Sequence, residues 1–268
     1  MTTLDLAPRS LASSFRRIDA LAEMELRILW RNKTALFIAV ALAPAMVPAA
    51  VRVFQGLEGG ALSGALLVSL SGFALLFSSY YNLTTMAVAR REERMLTRLT
   101  AGEVSRVELL VAMAVPHALL ALVQVILAAL VLGLTVGGAA WSSLILALLA
   151  FLGGAAVCSM LAFAVSGRTR SVEAAQLTTM PVLIGASLLS GLIVPLHVLP
   201  EPVARVAELT PLAPVVDLLR LGIAGIGPDG SQAVLGAATA SRPLLVLLAW
   251  ILVGAYLVRR SMRWDVRR

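Results

Sequence analysis

Six apolar runs divide this chain: Thr34 to Val51, Ala61 to Ala89, Glu108 to Leu134, Ala140 to Val165, Ala174 to Leu196 and Pro243 to Val258. They approach or exceed the roughly 20 residues that a helix needs to cross a bilayer. Inside hydrocarbon a helix satisfies its own backbone N–H and C=O groups, so runs of this length leave little other choice of structure. Hydrophobic residues make up 59% of the 268 positions and charged residues only 14%, which excludes an ordinary soluble domain. The expectation is an all-α integral membrane protein with six transmembrane helices. Residues 1–33 form a separate amphipathic segment ahead of one membrane domain over 34–268.

An even number of spans puts both termini on one side, and the basic residues choose that side. Six lie at or before Lys33, five between Arg90 and Arg106, two between Gly167 and Glu173, and five in the C-terminal tail. The alternate loops hold only Arg52, Arg205, Arg220 and Arg242. The positive-inside rule then makes the termini cytoplasmic, in a cell (inner or plasma) membrane. The net charge of +7 follows from this asymmetry beside anionic lipid and needs no nucleic acid. No short apolar core with a cleavage site precedes Lys33, so the first span is expected to act as its own insertion signal. Cys158 is the only cysteine, leaving no internal disulfide and no thiolate metal site.

The stretch from Ser190 to Gly222 departs from this pattern. Prolines at 195, 200, 202, 211 and 214 prevent one helix from running through it. Two short helices fit: Pro202 to Leu209, and a second with Thr210 as N-cap and Pro211 at its first position, closing on Arg220 and Gly222. Neither can span, so the segment is expected to be a broken, re-entrant outer piece between spans five and six, sheltered by protein or a water-lined cavity.

The N-terminal segment from Phe15 to Arg31 gathers Ile18, Leu21, Ala22, Leu26, Ile28 and Leu29 on one face and Arg16, Glu23, Arg27 and Arg31 on the other. It reads as an amphipathic interfacial helix. Glu25 breaks the pattern, because it falls on the apolar side, where a carboxylate needs a partner. After span two, Arg90, Arg94 and Arg98 recur every four residues as a positive stripe beside Arg91. Like charges at that spacing repel, so lipid headgroups, Glu92 and Glu93, or another protein should answer them. Gly102 is placed to end this helix, and Ser105 with Glu108 forms a capping box that starts span three. The loop therefore reads as a rigid elbow.

Within the spans, Tyr80, Tyr81, Asn82 and Gln124 are candidates for a polar substrate path, against the alternative of interfacial belt residues and interhelical hydrogen bonds. His117 reads as a hydrogen-bonded packing residue. Gly153 and Gly154 permit close helix approach in span four. Energy sources are missing from the chain. No Asp or Glu falls in mid-span for an ion relay, and the single lysine, Lys33, follows no glycine-rich phosphate loop. The expectation is that this chain is not an enzyme and binds no cofactor or metal, ATP and magnesium belonging to a partner. Ser187 with His197 is a faint echo of intramembrane proteases.

Three stretches resemble the ABC-2 type export permeases, and in particular their daunorubicin-resistance-like, drug-exporter branch. RREERMLTRLTAGEVSR is similar to the family's motif before span three through Arg91, Glu92, Leu96, Leu99, Ser105 and Arg106. SGLIVPLHVLPE matches through Ser190, Gly191, Pro195, Leu199 and Pro200. LTPLAPVVDLLR matches through Pro211, Leu212, Leu218, Leu219 and Arg220. Arg94, Met95 and Glu103 stand where the family usually has Gly-Thr and often Pro. The resemblance implies a permease subunit of an ATP-driven exporter of a drug, lipid or glycan, paired with a cytosolic ATPase subunit and a second permease copy in the lipid bilayer. It implies ATPase contacts on the N-terminal helix and the elbow, here Glu25, Arg27, Arg91, Glu92, Arg94, Leu96, Arg98 and Leu99. It also implies an outer gate in the broken stretch, here Pro195, Pro200, Pro211 and Arg220. A non-translocating scaffold or immunity subunit, and a secondary carrier, are the alternatives.

Overall fold

Polar residues just ahead of three apolar runs start the helices that follow them. In the computed structural model, which describes residues 11–31, 33, 37, 51–52, 54, 56–93, 105–193, 196–227, 231–233 and 236–261, the Ser105 hydroxyl accepts from the Glu108 N–H at 3.2 Å. The Glu108 carboxylate accepts from the Ser105 N–H at 2.8 Å, completing the capping box. Ser143 and Ser171 do the same work with single bonds from the Leu146 and Ala174 N–H groups. Each satisfies one of the N–H groups that a helix start leaves without an intrahelical partner.

The helices are α1 (Leu11–Arg31), α2 (Gly59–Glu92), α3 (Arg106–Thr135), α4 (Leu144–Ser166), α5 (Val172–Leu189), α6 (Glu201–Ala207), α7 (Ala213–Leu219) and α8 (Ala237–Ser261). Five of them, α2, α3, α4, α5 and α8, are long and apolar enough to cross a membrane. The first expected span, Thr34 to Val51, lies almost wholly outside the described residues, as do Arg94, Leu96, Arg98, Leu99, Gly102 and Pro195. The chain is an all-α integral membrane protein.

Helix α2 is the hub. In its most apolar window 78% of the residues are buried inside the chain, against 22% for α3, α5 and α8. Helices α3 and α4 pack on α2, and α8 packs on α4. Lipid gives helices no hydrophobic reason to associate, so close approach rests on small residues. A Cβ on Gly154 would lie 2.7 Å from Val215 and 2.8 Å from Leu75, and one on Gly153 would lie 2.7 Å from Leu247. The glycine-rich centre of α4 thus seats α2, α7 and α8 around it, as its sequence indicated.

Two local expectations are corrected. Span five ends at Leu189, seven residues short of Leu196, because Gly191 turns the backbone to φ +82°. Thr210 caps nothing: its hydroxyl donates to the Ala207 carbonyl at 2.7 Å and the Leu189 carbonyl at 3.2 Å. The second short helix starts three residues later, with Leu212 at its N-cap and Pro214 in its first turn. It continues into a π-helical turn over Arg220–Ala224, closed by Gly225 at φ +67°.

Candidate functional site

At one end of the bundle α1 is pinned to two spans. Glu25, the carboxylate on the apolar face of α1, is 3% exposed and accepts from the Arg90 guanidinium at 2.9 Å. Arg90 also reaches Glu93 at 3.2 Å. Eight residues earlier on α1, Arg17 donates to Glu108 at 3.0 Å, using the second oxygen of the capping-box carboxylate. One ion pair therefore fixes α1 to the end of α2 and another to the start of α3, on either side of the elbow. By contrast the Arg27–Glu23 pair at 2.6 Å lies wholly on the exposed face of α1.

Arg91 completes the arrangement. Its guanidinium donates to the Ser166 carbonyl at 2.6 Å and to the Thr169 carbonyl. These carbonyls lie at the last turn of α4 and just beyond it, where the regular helical bonding ends and the negative end of the helix dipole falls; the Ser166 carbonyl also accepts from the Thr169 N–H at 3.2 Å. A planar fork with several donors suits this bridging role, which a lysine ammonium cannot reproduce. Helix α2 thus holds α1 through Arg90 and α4 through Arg91. Of the residues assigned from sequence to an ATPase contact, Glu25 and Arg91 are turned inward and engaged within the chain, while Arg27 and Glu92 are exposed.

The middle of α2 holds a feature that the sequence reading missed. Leu75–Asn82 is π-helical, so each N–H reaches one residue further back than in an α-helix. Such segments are rare and occur often at functional sites. All the polar candidates on α2 fall in it, but the four path candidates do not converge. Tyr80 is buried and directs its hydroxyl at the Thr179 carbonyl of α5, at 3.5 Å, whereas Gln124 of α3 approaches the Ser78 hydroxyl, also at 3.5 Å. Tyr81 is half-buried, and the side-chain nitrogen of Asn82 is buried with no hydrogen-bond partner among the described residues. His117 pairs with the Met113 carbonyl of its own helix at 3.1 Å, as expected for packing. The Ser187 hydroxyl is likewise engaged by its own helix, at the Leu183 carbonyl.

At the opposite end the broken segment enters the bundle and returns. The Leu209 carbonyl accepts from the Trp250 indole at 2.8 Å, thirteen residues along α8, a distance of roughly 20 Å by helical rise. Val215 packs on Gly154, ten residues along α4. The chain then comes back to the start of α4, where the Gly222 carbonyl accepts from the Ser143 N–H at 2.8 Å and the Ile223 carbonyl from the Trp141 N–H at 2.9 Å. Arg220 ties this excursion to α5: its guanidinium donates to the Gly191 carbonyl and lies 3.9 Å from Asp217. Burial lowers its pKa, and Asp217 raises it. Pro200 precedes α6 in extended backbone and Pro211 lies in the bend before α7.

Among the described residues no group of three His, Cys, Asp or Glu side chains could hold a metal ion. The family model described as ABC-2 type transporter matches residues 16–223, from within α1 through the π-helical turn after α7. No curated protein matches the chain.

Proposed function

Because this chain belongs to the ABC-2 type transporter family, as a membrane permease subunit of an ABC transporter, we propose that it works as the membrane half of an ATP-driven exporter. In this reading two permease copies form the path in the cell membrane, with both termini cytoplasmic, and two cytosolic ATPase subunits supply the energy. The chain itself binds no nucleotide. The supporting observation is the double pinning of α1 by Glu25–Arg90 and Arg17–Glu108. A push on α1 or on the elbow reaches α2 and α3 directly, because α1 is tied to them by one buried and one part-buried ion pair.

Exposed Arg27 and Glu92, together with Arg94, Leu96, Arg98 and Leu99, form the proposed ATPase contact. Movement of α2 relative to α5 would then act on the Arg220–Gly191 tie, so that the re-entrant segment with Pro195, Pro200 and Pro211 serves as the outer gate. The path for a hydrophobic or amphipathic cargo runs along α2, where Tyr80, Tyr81 and Asn82 lie in a π-helical segment, with Gln124 facing it from α3.

Reversing Arg94 and Arg98 together to Glu tests the contact. With an ATPase subunit co-expressed, the expected result is a loss of about tenfold in co-purified ATPase with normal membrane insertion, since charge reversal converts complementary pairing into repulsion. Undiminished recovery and ATP turnover of the complex would remove the elbow from the interface.

A further inference from the structure

At the end of the bundle away from α1, a cavity of about 420 Å³ opens between the end of α6, α7 and the first turns of α8. One wall is held by an antiparallel bridge between Ile226 and Gln232, with the Gly227 N–H donating to the Ser231 carbonyl at 2.8 Å. The walls include the apolar Pro214, Ala238 and Val246 and the charged Glu208, Asp217 and Arg242. Glu208 and Arg242 are already paired, at 2.5 Å. Asp217 is not comparably answered. Its side chain is 8% exposed, no hydrogen bond reaches its carboxylate among the described residues, and the nearest cation, Arg220, stands 3.9 Å away with its other nitrogen on Gly191.

A buried carboxylate without donors is costly, and here it borders an open volume with one net negative charge on its lining. We infer that this cavity binds an organic monocation, an ammonium group that donates to Asp217 and carries a small apolar substituent packed against Pro214, Ala238 and Val246. A divalent metal does not fit, because the lining holds only two carboxylates, Glu208 held by Arg242 at 2.5 Å and Asp217 with Arg220 at 3.9 Å, and such ions require several oxygen ligands. The inference goes beyond the transport reading and stands on the cavity alone.

Burial pushes the Asp217 carboxyl up to about 6; Arg220 and Arg242 pull it down and Glu208 raises it. The folded-state value exceeds the unfolded one, so this group favours the fold in its protonated form, and that contribution is lost as pH rises through about 6. Asn at this position mimics the protonated acid, so Asp217→Asn should fold well at neutral pH. The ammonium needs the ionised form, so binding should weaken as pH falls through the same region.

The test is calorimetric titration of hexylammonium into the purified full-length permease in lipid nanodiscs, without ATP. Hexanol and protein-free nanodiscs correct for partition into lipid. The expected result is saturable binding near one per chain at about pH 7.5, weakened about tenfold or more by Asp217→Asn, as for loss of a charged hydrogen bond. Acidification to about pH 5 should weaken it too, and Val246→Trp, which puts a much bulkier side chain on the lining and narrows the cavity, should also weaken it. Equal binding by Asp217→Asn or by Val246→Trp, equal binding of hexanol, or no saturable heat above the protein-free nanodiscs overturns the inference. Because no ATPase is present, failure here leaves the coupling proposal untouched.

Discussion

Replacing Glu25 with alanine is expected to destabilise the protein by about 3 kcal/mol, because the change leaves the Arg90 guanidinium buried without its main counter-charge. Arg90 is 11% exposed and Glu25 3%, so water cannot take over the solvation that the pair provides. Glu93 remains within 3.2 Å of Arg90 but is 59% exposed, which places the effect at the lower end of what breaking a buried pair costs. Arg90→Ala should destabilise similarly. The double variant should lose less than the sum of the two, since removing both partners leaves no orphaned charge. Thermal unfolding of the four proteins in nanodiscs measures this cycle. Additive losses would show that the two residues act independently and that α1 is not held through them. The exposed Arg27–Glu23 pair provides the contrast, with Arg27→Ala expected to change stability by no more than about 0.5 kcal/mol.

Gly222→Ala is expected to be nearly as damaging, for a steric reason. A Cβ there would stand 2.7 Å from the Ala147 nitrogen, 3.0 Å from the Ala147 Cα and 3.0 Å from the Ser143 oxygen. All three are backbone atoms of the start of α4, so no side-chain rotation relieves the clash. The returning limb of the re-entrant segment must lift away, which strains the bonds from Ser143 and Trp141 to Gly222 and Ile223. Overpacking against a rigid wall costs about 2–3 kcal/mol, a fall in melting temperature of roughly 5–10 °C for a chain of this size. Gly185→Ala is the matched control, because a Cβ there meets nothing within 4 Å. Inside α5, near its C-terminal turn, it should stabilise by about 0.5–1 kcal/mol through backbone entropy. A Gly222→Ala protein that melts with the wild type would mean that the segment does not dock on α4 as described.

Much of this organisation was legible from local chemistry. The capping box of Ser105 and Glu108 needs only residues three apart, and it forms as the spacing indicated. The five described membrane helices follow from run length, with ends displaced by up to seven residues where a cap or a turn decided the matter. Glu25 was legible as a misfit on an apolar face. Its partner was not, because Arg90 lies 65 residues away in sequence and the pattern around Arg90 pointed outward as a stripe with Arg94 and Arg98. The partners of Arg91 within the chain were not legible for a related reason. An arginine near a helix end is equally compatible with a partner surface and with capping a neighbouring helix, and only the placement of α4 selects the second. The π-helical turns in α2 and after α7 left no sequence mark, since no residue type demands the extra residue per turn and tertiary packing imposes it. Thr210 shows the converse error. A good N-cap residue beside proline was available, but the α5 and α6 carbonyls claimed its hydroxyl.

The central claim is that this permease subunit is driven by a separate ATPase acting through α1 and the elbow. The most direct measurement is co-expression with its cognate phosphate-loop ATPase, purification in mild detergent and assay of ATP turnover. The account predicts a stable complex with equal numbers of the two chains that hydrolyses ATP, and whose ATPase is lost when Arg94 and Arg98 are reversed to Glu. Failure of any ATPase to associate with the intact, well-folded permease, in the presence or absence of nucleotide, would contradict it.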